Sequence, residues 1–137
     1  MARILAIDFG VKRTGIAVTD PMKIIATALQ TVPTPDLLIF LADYMRREEV
    51  ECIVVGEPRN LDNTPSEISV QVESFITGMK KKFPDKKVVR IDERFTSKMA
   101  QYTVAHSGLK KKDRRDKSLL DKISAVLILQ SYLETIS

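Results

Sequence analysis

Arg3-Ile-Leu-Ala-Ile-Asp8-Phe-Gly10, followed by Lys12-Arg-Thr-Gly15-Ile-Ala-Val-Thr19, is the stretch whose reading decides the fold. An apolar run of strand character ends in a single carboxylate. A glycine turn with two cations comes next, and then a second strand-like run. Strand interiors disfavour aspartate, because a buried charge is costly unless it is paired or bound to a cation. Asp8 is therefore expected where the first strand leaves the core, beside backbone that glycine lets a ligand approach. A carboxylate in that place is suited to a divalent metal.

The rest of the chain extends this start into an α/β pattern. Residues 3–9, 14–19 and 24–32 read as three strands joined by short turns, an antiparallel meander. Thr34 reads as a helix N-cap with Pro35 at the first helical position, and Leu37, Leu38, Leu41 and Met45 follow at helical spacing. Cys52-Ile-Val-Val-Gly56 has the continuous apolar character of a strand buried on both faces. Thr64-Pro65-Ser66-Glu67 is a capping box ahead of a helix marked by Ile68, Val72, Phe75, Ile76, Met79 and Phe83. Residues 88–92 read as a fifth strand, residues 96–108 as a short helix capped by Thr96, and residues 118–134 as a last, largely apolar helix. Right-handed crossovers make the first, fourth and fifth strands parallel neighbours. The expected architecture is a five-stranded mixed sheet, a three-strand meander plus two parallel strands, flanked by helices.

Composition sets outer bounds. With 137 residues, 44% hydrophobic and 29% charged, the chain reads as one globular domain over 1–137. It shows no signal-peptide pattern and no apolar run of membrane-spanning length, so a cytoplasmic protein with no membrane partner is expected. The single cysteine, Cys52, excludes an intrachain disulfide and reads as a core residue. The net charge of +4 suits a phosphate-rich partner. Lys110, Lys111, Lys112, Arg114, Arg115 and Lys117 form a tract that is either a solvated loop or a nucleic-acid contact.

In an open α/β sheet, ligands gather outside the carboxyl ends of the parallel strands. Those ends carry Asp8, the Gly56-Glu57-Pro58 turn and Asp92-Glu93-Arg94. Asp121 joins them from the last helix, on one face with Ala125, Ile128 and Tyr132. Each acid also has a plain structural reading: Asp8 as a turn residue, Glu93 paired with Arg94 or Arg13, Asp121 paired with Lys117 or Lys122. Together, three repelling carboxylates are relieved by a hard divalent cation, Mg2+ or Mn2+. Lys12, Arg13 and Arg94 are candidate phosphate contacts beside them. His106, the only histidine, lacks a second ligand nearby and reads as structural. The chain has neither a Gly-x-Gly-x-x-Gly fingerprint nor a P-loop.

Asp8-Phe-Gly10 with Lys12-Arg-Thr-Gly15-Ile-Ala-Val, Val55-Gly56-x-Pro58, Asp92-Glu93-Arg94-x-Thr96-Ser97, and Asp121-Lys-x-x-Ala125-x-x-Ile-Leu-Gln130-x-Tyr-Leu133 together resemble the YqgF/RuvX family. Its members are bacterial ribonuclease H-like proteins described as Holliday junction resolvases and pre-16S ribosomal RNA nucleases. The resemblance spans about residues 3–134. It implies a ribonuclease H-like three-layer fold and metal-dependent endonuclease activity on structured RNA or branched DNA, with Asp8, Glu93 and Asp121 as the catalytic acids. Glu57 departs from the family pattern, which is usually apolar there, and is a further candidate ligand. A monomer or weak homodimer is expected. Two other classes fit parts of the sequence. One is a nucleotide-dependent phosphotransfer lobe, which needs a second lobe that 137 residues do not supply. The other is a nucleic-acid-binding ribosome assembly factor without catalysis.

Overall fold

The computed structural model describes residues 2–57, 68–92 and 117–136, and describes residues 57, 92 and 117–122 by backbone position. Five strands, β1 (Arg3–Asp8), β2 (Arg13–Thr19), β3 (Ala26–Pro33), β4 (Val50–Glu57) and β5 (Lys87–Asp92), form one sheet in the order β3-β2-β1-β4-β5. β1 pairs antiparallel with β2 and parallel with β4, and β4 pairs parallel with β5. This is the expected mixed sheet, with the meander on one side. Among the described residues three helices flank it: α1 (Leu37–Arg47), α2 (Ser69–Lys82) and α3 (Lys117–Ile136).

Side-chain alternation along the central strands divides the core into two layers. Leu5 and Ile7 of β1, with Ile53 and Val55 of β4, pack against Leu37, Leu41 and Tyr44 of α1 and Val72, Ile76 and Met79 of α2. Ile4 and Ala6, with Cys52 and Val54, pack on the other face against Ala125, Ile128, Leu129 and Tyr132 of α3. Helices therefore cover both faces, which is why β4 has no polar alternation. The inward residues of α1 and α2 recur three and four apart, the spacing that puts them on one helix face.

Two local readings need correction. Thr34 does not cap α1. It begins a 3-10 turn (Thr34–Asp36), and neither that turn nor α1 has a side-chain cap bond. Its hydroxyl has a stronger use, in a ring of bonds closing the turn after β1. The Gly10 N–H donates to Thr14 Oγ1 at 3.5 Å, and Thr34 Oγ1 donates to the Gly10 carbonyl at 2.6 Å. Each hydroxyl has a single proton, so Thr14 Oγ1 donates to Thr34 Oγ1 across the remaining 2.9 Å. The Thr34 N–H adds a bond to the Lys12 carbonyl at 2.9 Å. Thr14 is fully buried, so this ring also satisfies a hydroxyl that water cannot reach.

The second correction is at β3, which starts at Ala26 rather than at residue 24. The Asp20 carboxylate accepts the N–H groups of Met22, Ile24 and Ile25 at 2.8–3.0 Å. These bonds hold Asp20 below the usual carboxylate range and keep the two isoleucines in a turn. The capping box at Thr64 and Glu67 and the helix expected over 96–108 lie outside the described residues.

Replacing Thr34 with valine keeps the shape and removes the hydroxyl ring. Unfolding in urea is expected to show a loss of about 1–2 kcal/mol, larger than an exposed threonine would give.

Candidate active site

β1 is the middle strand of the sheet and is buried on both faces up to Ile7. Asp8 is its last residue, half-buried, and continues the phase of Ile4 and Ala6 toward α3. Its partner across β2 is Gly15. On β4 the phase of Cys52 and Val54, which shares that face, continues to Gly56. Asp8 is thus flanked on both neighbouring strands by positions without a side chain. A hard cation with oxygen ligands fits such a donor and such space.

The tight turn that follows holds the carboxylate at the rim. A Cβ on Gly10 would overlap the Arg13 carbonyl oxygen, so the turn closes only with glycine there. Lys12 and Arg13 stand exposed at this turn, Arg13 already the first residue of β2 and paired with Pro33.

The direction of α3 decides whether Asp121 can join Asp8. Two anchors fix it. Tyr132 lies over Cys52 at the start of β4, the Cys52 thiol reaching the tyrosine oxygen at 3.9 Å. Gln130, Leu133 and Glu134 border Ile24–Ala26 at the start of β3, which the register places at the same end of the sheet. The helix therefore runs from the carboxyl end of β1 and β4 toward their amino end. From Tyr132 back to residue 121 is eleven residues, about 16 Å of helix. From Ile4, paired with Cys52, up to Asp8 is four residues, about 13 Å of strand. Residue 121 thus stands at about the level of Asp8, in the helical row of Ala125, Ile128 and Tyr132. Ser124 and Ala125 are buried, and their small size lets the helix lie close to the sheet.

The other candidates fall as follows. Glu57 ends β4 opposite Asp92 of β5. Its position is in phase with Ile53 and Val55 of the α1–α2 layer, opposite to Asp8. Lys117 is the first residue of α3. Glu93, Arg94, Lys110, Lys111, Lys112, Arg114, Arg115 and His106 lie outside the described residues. Among the described residues no three potential metal ligands come together. Cys52 is a core residue, as expected, and Tyr132 is buried beside it; burial pushes both the Cys52 thiol and the Tyr132 hydroxyl up. Sequence reasoning missed Thr14 and Thr34, which position the turn beside Asp8. Two threonines twenty residues apart give no local signal of their meeting.

The fold and the rim acid define a class, the ribonuclease H-like α/β fold with a carboxylate ending its central strand. In solved structures the likeness extends to the Thermus thermophilus RuvC bound to a Holliday junction substrate, with a TM-score of 0.57 and 15% identity over 100% of this chain and 97% of that one. Residues 2–135 match RuvX, described as Holliday junction resolvase, and the chain belongs to that family. A Christiangramia forsetii protein is 56% identical, covering 97% of this chain and 98% of its own. A Bacteroides fragilis protein is 54% identical, covering 98% of each. Both bear the name "Putative pre-16S rRNA nuclease".

Substituting leucine for Ala125 overfills the interface between α3 and the sheet. A loss of about 1–3 kcal/mol is expected. Cys52 should then react with Ellman's reagent faster than in the wild type, where burial covers the thiol and pushes its pKa up.

Proposed function

We propose that this protein is a metal-dependent endonuclease that hydrolyses phosphodiester bonds in structured nucleic acid, and that its substrate is the 5′ end of pre-16S rRNA. The observation that carries the reading is the common level of Asp8 and residue 121, reached from a central strand and a helix that run in opposite directions. Glu93 is the third member, taken from its place after the fifth strand in the sequence and from the family resemblance. Asp8, Glu93 and Asp121 are the catalytic and metal-holding set. Glu57, whose position has the opposite phase, is left out of it.

Mg2+ or Mn2+ held by these acids supplies Lewis acidity for the attacking water and neutralises charge on the phosphate. The protein's own part is positional. The sheet fixes Asp8, the hydroxyl ring holds the turn behind it, and the glycines at 15 and 56 leave the approach open. Lys12 and Arg13, exposed on that turn, bind the substrate phosphates with Arg94. Lys110, Lys111, Lys112, Arg114, Arg115 and Lys117 grip the backbone further out, so binding weakens with salt.

The relatives' name favours precursor rRNA, and the family description favours branched DNA as the second reading. Cleavage of a pre-16S-like RNA and of a four-way junction, side by side in Mg2+ or Mn2+, decides between them. On the preferred substrate Asp8→Asn is expected to lose more than about 100-fold in rate, the upper range for a residue that merely supports a metal ligand. Glu57→Leu should retain both metal affinity and rate. Equal rates for wild type and Asp8→Asn would remove the mechanism.

A further inference from the structure

The opposite face of the same rim carries a groove that the acids do not use. Phe9 follows Asp8 directly and, one residue on, packs toward α1 and α2. Its ring lies 5.4 Å from that of Phe75, tilted by 34°, and both rings are half-buried. They border a cavity of about 310 Å³, with Thr34 and Pro35 on one wall and Gln71, Ser74 and Gly78 on the other. Aromatic faces, an amide and a hydroxyl are the groups that stack a base and bond its edge.

Gly78 is the second observation. It lies inside α2, where glycine weakens a helix relative to alanine. Packing does not call for it, since a Cβ there would meet Leu38 Cδ1 at an ordinary 4.0 Å. What the missing side chain does is keep the groove open. Charge is the third. Gln71, Ser74, Phe75 and Gly78 share one helix face, which runs on to Lys81 and Lys82, both exposed. Lys12 stands at the other end, its carbonyl bonded to the Thr34 N–H. Of the nearby acids, Glu73 is paired with Arg90 at 2.6 Å, and Asp36 lies exposed beside Pro35. An apolar slot with cations at both ends suits a base on a phosphate backbone.

We propose that this groove receives an unpaired nucleobase from the substrate strand, next to the cleavage site. The inference rests on the nuclease reading above and adds to it a specificity pocket. Asp8 and Phe9 point to opposite faces, so the captured base belongs to a nucleotide flanking the scissile phosphate rather than to the attacked one. The enzyme then requires a single-stranded residue beside the cut.

The test uses stem–loop RNAs and four-way DNA junctions with an unpaired flank, a single abasic residue being walked along the flank. Binding is read by fluorescence anisotropy without metal, and cleavage separately with Mg2+. For the wild type, one abasic position is expected to weaken binding about tenfold, within the range for losing one stacked base. Gly78→Ile, which fills the groove, should bind every member of the walk equally and as weakly as that one. Gly78→Ala should raise the melting temperature, showing that the site tolerates a side chain. A wild type that binds and cleaves with no sensitive position overturns the pocket alone and leaves the groove to a protein partner. A base preference that survives in Gly78→Ile overturns it as well. Absence of binding and cleavage overturns the nuclease reading beneath it.

Discussion

A strand buried on both faces cannot carry a charge until it leaves the core, and β1 meets that constraint at Asp8. Leu5 and Ile7 are spent on one layer, Ile4 and Ala6 on the other. The carboxylate then falls at the last residue of the strand, the first beyond its fully buried run. β2 and β4 contribute Gly15 and Gly56 beside it, and the following turn is tied by Thr14 and Thr34. The rest of the molecule either supports that position or uses it.

The α3 helix is the second determinant, because its direction brings residue 121 to the level of the rim carboxylate. Its register is set far from the chemistry, where Tyr132 lies over Cys52 and the helix end borders the start of β3. The small residues Ser124 and Ala125 bring the axis close at the middle of the helix. A core contact at one end of the sheet thus sets the height of residue 121 at the other. On the proposed reading, metal binding depends on the packing of the second layer. Loosening Tyr132 or crowding Ala125 should affect the active rim without touching it.

Much of this was legible in the sequence. Continuous apolar runs and crossover handedness give the order of all five strands, and helical spacing gives Asp121 its row with Ala125 and Ile128. The failures share a cause. Thr34 has the sequence context of a cap, but its hydroxyl is taken by Gly10 and Thr14, partners brought near by strand pairing. Ile24 has strand propensity, but Asp20 satisfies its backbone in a turn. Propensity loses in both cases to specific side-chain hydrogen bonds, long-range at Thr34 and within one short turn at Asp20. Glu57, a further candidate ligand at the same rim, ends β4 at a position that the alternation assigns to the phase opposite Asp8. For Glu93 and the basic tract, the reading rests on sequence and family.

The central claim is that a divalent cation binds on the α3 face at the carboxyl end of β1. Paramagnetic broadening of backbone amide signals by Mn2+ tests it without requiring any substrate. Broadening that is strongest at Asp8, Phe9, Gly15, Gly56 and the first turns of α3 and weakens toward Cys52 and Tyr132, read at substoichiometric Mn2+, is the predicted result. Broadening centred at the Tyr132 end of the sheet, or none at saturating Mn2+, would contradict it.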